Sequence, residues 1–171
     1  MLAEPLLQNP ASTTPDARRA IIRNCELALI LDPENPYTDN NLAWALASAP
    51  NDPWFDPKRA VELARKAVAL NPPDGNLWNT LGVAAFRLRD WKTAADSFRK
   101  SNNIIGGTGI DCFFLAMTRW HEGKRDEARQ WFDQAIAWIE RTTSEDPELR
   151  RFHAEAASLL GLDCPRPSPG E

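Results

Sequence analysis

Few side chains in this sequence could do chemistry, and their spacing decides what kind. The cysteines are Cys25, Cys112 and Cys164, and the histidines are His121 and His153. Protein zinc sites draw such residues in close pairs. These five show no paired spacing, so no metal site is expected. His121-Glu122 would open the zinc-protease pattern, but no histidine follows at the required position. A catalytic cysteine needs a base and a characteristic local setting, and none surrounds any of the three. Gly106-Gly107-Thr108-Gly109 has the glycines of a phosphate-binding loop. It lacks the lysine and hydroxyl residue that should follow and the strand that should precede it. It reads instead as a turn. The chain is therefore read as a non-enzyme, with no catalytic residue and no cofactor.

The composition narrows the remaining classes. Of 171 residues, 43% are hydrophobic and 26% charged, enough to bury a core and too apolar for a disordered chain. The net charge of −4 does not suit broad binding to nucleic acid. Three cysteines do not make a disulfide scaffold. No apolar run approaches the roughly 20 residues of a membrane span. Met1-Leu2-Ala3-Glu4-Pro5 lacks the basic start and apolar stretch of a secretory signal, so a cytoplasmic protein is expected.

Proline marks the elements. Thr14-Pro15, Asp56-Pro57 and Asp146-Pro147 each place a capping oxygen before a proline, which costs nothing in the first helical turn. Pro33, Pro50 and Pro72 follow apolar-periodic stretches and should stop them. No proline lies between Asp74 and Asp146. Alanine and leucine recur at three- and four-residue spacing, as at Ala60, Leu63, Ala64, Ala67 and Leu70. The spacing predicts helices near 15–31, 37–49, 57–70, 76–89, 91–103, 110–122, 125–141 and 147–161, joined by short connections and so packed antiparallel. No useful strand pattern appears. Residues 1–14 and the proline-rich 162–171 are expected to be flexible, with Cys164 accessible.

The chain also matches itself at a shift of 34 residues. Leu81 meets Leu115, Gly82 meets Ala116, Ala94 meets Ala128 and Phe98 meets Phe132. An earlier copy fits if Leu42-Ala43 takes the part of Leu81-Gly82, with five extra residues in the loop from Pro50 to Asp56. Within that loop Pro53-Trp54-Phe55 either folds back over the first unit or forms a lip. Trp131 and Trp138 likewise either pack under the last helix or offer an apolar patch.

This pattern resembles the tetratricopeptide repeat, whose units read Trp-x2-Leu-Gly-x2-Tyr, then Ala-x3-Phe, then Ala and Pro. Here the central unit reads Trp78-x2-Leu81-Gly82-x2-Ala85, then Ala94-x3-Phe98. Ala28-x4-Pro33 and Ala67-x4-Pro72 carry the unit ending. Ala85 departs from tyrosine, Ser101 from alanine and Cys112 from tryptophan. The wording is most similar to bacterial repeats, among them planctomycete proteins. The resemblance implies an all-α, right-handed α-solenoid of antiparallel helix pairs. Its parts would be a half unit at 15–33, units at 36–72, 75–106 and 109–141, and a capping helix at 147–161. That helix would bury Leu149, Phe152, Ala156, Leu159 and Leu160, leaving Glu148, Arg150, Arg151 and Glu155 on its other face.

It further implies that the first helix of each unit lines a concave groove binding a protein or peptide, as an adaptor or scaffold. Asn40 and Trp44 would line it in the first unit, and Asn76, Asn79, Val83, Phe86 and Arg87 in the second. Phe113, Met117 and Trp120 would do so in the third. Chaperone-tail binders of this family use a clamp of lysines, asparagines and an arginine. The matching positions are Asn40, Trp44, Thr80, Ile110 and Phe114, none cationic, so an acidic chaperone tail is not an expected ligand. The alternative is a self-association unit, or the non-catalytic part of a larger signalling protein.

Overall fold

The computed structural model describes residues 14–162. Among these residues there are eight helices and no strand. The helices are α1 (Pro15–Leu31), α2 (Pro36–Ala47), α3 (Pro57–Leu70), α4 (Gly75–Arg87), α5 (Trp91–Ile105), α6 (Gly109–His121), α7 (Arg125–Thr142) and α8 (Pro147–Leu160). The expected flexible ends, apart from Thr14 and Leu162, fall outside the described residues, as does Cys164.

The helix starts follow from their cap residues. The side-chain oxygens of Thr14, Asp56 and Asp146 accept from the backbone N–H groups of Ala17, Arg59 and Glu148, each ahead of a first-turn proline. Asn35-Pro36 opens α2 in the same way. Thr108 and Asp111 form a reciprocal capping box at the head of α6. Gly106 stops α5 with φ 80°, and Gly107 follows at 77°, a region open to glycine at no steric cost. The glycine run is thus the turn between two helix pairs.

Helices pair as α2 with α3, α4 with α5 and α6 with α7, while α1 packs on α2 like the second helix of a preceding pair. Close approach within the pairs depends on small residues. A β-carbon on Gly82 would lie 2.5 Å from Cε1 of Phe98, a ring that is fully buried and has nowhere to go. Ala60, Ala94 and Ala128 are fully buried at the corresponding places of the three second helices. The first helices also touch one another, α2 to α4 and α4 to α6, so that they form one continuous inner wall.

The enlarged loop is tied back to α1. Arg18 donates through Nε to Asp52 at 3.1 Å and through Nη1 to Ser48 at 2.7 Å. Arg19 lies over the Trp54 ring, 5.5 Å from its centroid, and Trp54 stays 40% exposed. Arg18 shares a stripe with Ile22 and Cys25, at spacings of four and three residues, and is itself buried. Its guanidinium therefore belongs to the core stripe of α1, where it fixes the loop.

Candidate protein-interaction groove

The inner wall is made by helices whose central runs are apolar on every side. Leu42–Ala47, Leu81–Phe86 and Cys112–Met117 are buried without interruption. A helix at a surface shows an apolar stripe, and one that is apolar all round is covered all round. The second helices cover the outer side of this wall. The inner side is covered by α8.

A helix capping the end of the stack would lean on both helices of the last pair. Instead α8 packs on α6, scarcely touches α7, and reaches across to α4 and α2. Phe152 is its central anchor. Its ring meets Phe114 of α6 edge-on at 4.9 Å and Trp44 of α2 edge-on at 6.0 Å. Leu149, Ala156 and Leu160 are buried with it, and Leu159 is half-buried. His153 stacks on Phe113 at 5.3 Å. Gly109, at the start of α6, leaves the room that Leu149 of α8 and Trp138 of α7 occupy, each within 3.0 Å of where a β-carbon would be.

Polar contacts flank this anchor. The Trp44 indole N–H donates to Glu148 at 3.2 Å. Arg87 makes a two-toothed pair with Glu155, Nη2 donating to Oε2 at 2.9 Å and Nη1 to Oε1. The same guanidinium lies 5.2 Å from the centroid of Phe114 and donates to the Ala47 carbonyl at 3.3 Å. Burial pushes the Glu148 carboxyl above its ordinary range, against the opposing pull of Arg151, the Trp44 hydrogen bond and Arg18. Burial likewise pushes His153 down. Glu148 thus faces the wall, although the sequence spacing set it on the other side of α8; only Arg150 of that expected polar set is exposed.

The expected groove residues divide by what covers them. Trp44 and Arg87 meet α8 directly, and Phe113 meets it through His153. Val83 and Met117 are fully buried. Phe86 is packed between Trp91 and Phe114, at 5.2 and 5.1 Å. Asn79 gives its amide N–H to the buried Asp111 carboxylate at 2.9 Å, tying α4 to α6. Asn40 is buried, its Oδ1 without a hydrogen-bond partner among the described residues. Asn76 is exposed at the head of α4, and Trp120 is half-buried under Arg125, whose guanidinium carbon is 3.4 Å from the ring centroid. Phe114, which the sequence placed only at a clamp position, is the residue on which the site converges. It touches Phe86, Phe98, Phe152 and Arg87.

His153 serves the site by packing alone, and the cysteines and the other histidine among the described residues form no cluster with it. Cys112 is buried, and its thiol is pushed up to about 11 by burial and by Asp111. His121 stacks flat on Trp91 at 4.3 Å. No group of three or more metal-ligating side chains occurs among the described residues.

No family model matches the chain. Over 85 residues, 49% of its length, it is 32% identical to the heat-shock protein cognate co-chaperone sgt12 of Aspergillus fumigatus, and the match takes in 23% of that protein. Solved structures share the fold, MamA and TTC0263 among them. MamA superposes with a TM-score of 0.61 at 17% identity, over 91% of this chain and 97% of MamA. TTC0263, a thermophilic TPR protein of Thermus thermophilus, superposes with a TM-score of 0.61 at 18% identity, over 85% of this chain and 82% of its own.

Proposed function

We propose that this chain, whose fold is that of the tetratricopeptide-repeat proteins, is a protein-interaction module whose inner wall receives a segment of another protein. The observation that carries the reading is α8 itself. The wall formed by α2, α4 and α6 holds a helix through an aromatic anchor flanked by a hydrogen bond and an ion pair, and laying an apolar helix face into a groove is a common mode of peptide recognition. The co-chaperone relative supports protein partners in general. An acidic chaperone tail is not the partner proposed, because the clamp positions Asn40, Trp44, Thr80, Ile110 and Phe114 carry no cation.

The experiment is a pull-down from the native cell with wild type beside Arg87→Glu, which reverses the charge on the wall. A protein retained by wild type and lost from the variant supports the reading. Equal retention by both of every captured protein contradicts it.

A second reading, self-association, rests on a different face. α1 exposes Leu27, Ile30 and Leu31 at 53, 75 and 88%, beside Tyr37 at 53%. Such a patch favours contact with another apolar surface. Light scattering that shows a strict monomer at high concentration rejects it.

A further inference from the structure

The inner wall keeps its own demands whether α8 or something else lies on it. The Trp44 indole is a donor in a nearly dry place. Arg87 is held against the faces of Phe86 and Phe114, with its side chain only 6% exposed. A buried donor left without an acceptor is costly. Between these two polar points lies the apolar surface of Phe114 and Trp44, which is filled by one ring, Phe152. α8 meets these demands with an acceptor, an aromatic and an acid, at the spacing of Glu148, Phe152 and Glu155.

α8 is also built like a tethered ligand. It has its own cap at Asp146 and its own glycine stop at Gly161. It hangs from α7 by Thr143–Asp146, with Thr143 in the left-handed region at φ 48°. It scarcely packs on α7, so its hold on the molecule is its hold on the wall. The Glu155 side chain is 31% exposed, so water can reach the one ion pair that holds α8 to the wall.

We propose that the wall binds an amphipathic partner helix bearing a carboxylate, an aromatic four residues later and a second carboxylate three residues after that, and that such a helix binds by displacing α8. This rests on the interaction-module reading above and adds the partner's chemistry and the resident competitor. A short tether gives α8 an effective concentration of about millimolar, so the resident helix suppresses binding in trans. The apparent affinity for a partner scales with the fraction of molecules in which α8 has left.

The test uses the full chain and a fluorescein-labelled synthetic peptide of residues 146–162, followed by anisotropy. The chain is prepared as wild type, as Phe152→Ala, and as Glu155→Lys. The last places a cation against Arg87 and spares the core, which guards against a folding failure of the first. Circular dichroism confirms helical content in each. Both loosened chains should bind the peptide at least ten-fold more tightly than wild type. Adding Arg87→Glu to the Phe152→Ala chain should weaken binding at least ten-fold, and a peptide carrying Glu155→Arg should restore it. Equal affinity for wild type and both loosened chains overturns the proposal. So does the absence of binding to any chain, or binding indifferent to Arg87→Glu. If the native pull-down yields a groove-dependent partner while the peptide fails, this proposal falls and the broader reading stands. If the peptide behaves as stated while no groove-dependent partner is captured, the broader reading falls.

Discussion

Glu148 shows how a single carboxylate sets the character of the wall. Its surroundings favour the neutral acid, because burial outweighs Arg151, the Trp44 hydrogen bond and Arg18. With the folded value above the unfolded one, its contribution to stability is complete below the ordinary carboxylate range and is lost as pH rises through the raised folded value. Glu148→Gln should therefore be as stable as wild type at pH 7, or more so, since the amide oxygen still accepts from Trp44. The difference should shrink at about pH 4.5. Urea midpoints at the two pH values check this, and a clear loss in the variant at pH 7 contradicts it. Cys112 gives a second outcome at this scale. With its thiol pushed up to about 11 and its side chain buried, it should resist thiol reagents at pH 8 until the protein is unfolded. Native mass-spectrometric labelling reads this, and rapid modification of Cys112 contradicts it.

At the scale of the element, pairing is set by what the backbones can approach. Gly82→Ala would push a β-carbon into the immobile Phe98 ring, and overpacking of this kind costs about 1–3 kcal/mol. Denaturant unfolding measures it, and an unchanged midpoint would show that α4 and α5 do not meet as described. Arg18 anchors an element of another kind, the enlarged loop. The side chains of Arg18 and Asp52 are 3 and 5% exposed, and removing one partner of such a buried pair costs about 3–5 kcal/mol. Arg18→Ala should show that loss in the same assay, together with faster amide exchange at Phe55 and Asp56. The sequence made most of the elements legible, because prolines, capping oxygens and glycines mark their ends without reference to tertiary structure. The destination of α8 was not legible from its own stripe, which says that Leu149, Phe152 and Ala156 are covered but not by what. The signal lay elsewhere, in Leu42–Ala47 and Cys112–Met117. Those runs are apolar on all sides and need cover on the inner face as well as the outer. Arg18 was missed because its charge outweighed its place in the spacing with Ile22 and Cys25.

At the scale of the whole molecule, α8 changes how the stack coheres. In a linear array each unit couples only to its neighbours. Through Phe152, Glu148 and Glu155, α8 joins α2, α4 and α6 at once, so the first and third units share a fastening. Losing that anchor should loosen both ends together. Phe152→Ala, of a kind that costs about 3–5 kcal/mol, should raise amide exchange in α2 as well as in α6. A change confined to α6 and α7 would mean that α8 only caps the last unit. The central claim is that this fold's inner wall already holds a helix, and the contact of Phe152 with Trp44 tests it most directly. A nuclear Overhauser spectrum of the labelled protein should show cross-peaks between the ring protons of Phe152 and those of Trp44, whose centroids are 6.0 Å apart, and of Phe114, at 4.9 Å. Cross-peaks from Phe152 to α6 alone, with the Trp44 ring giving none to α8, would contradict it.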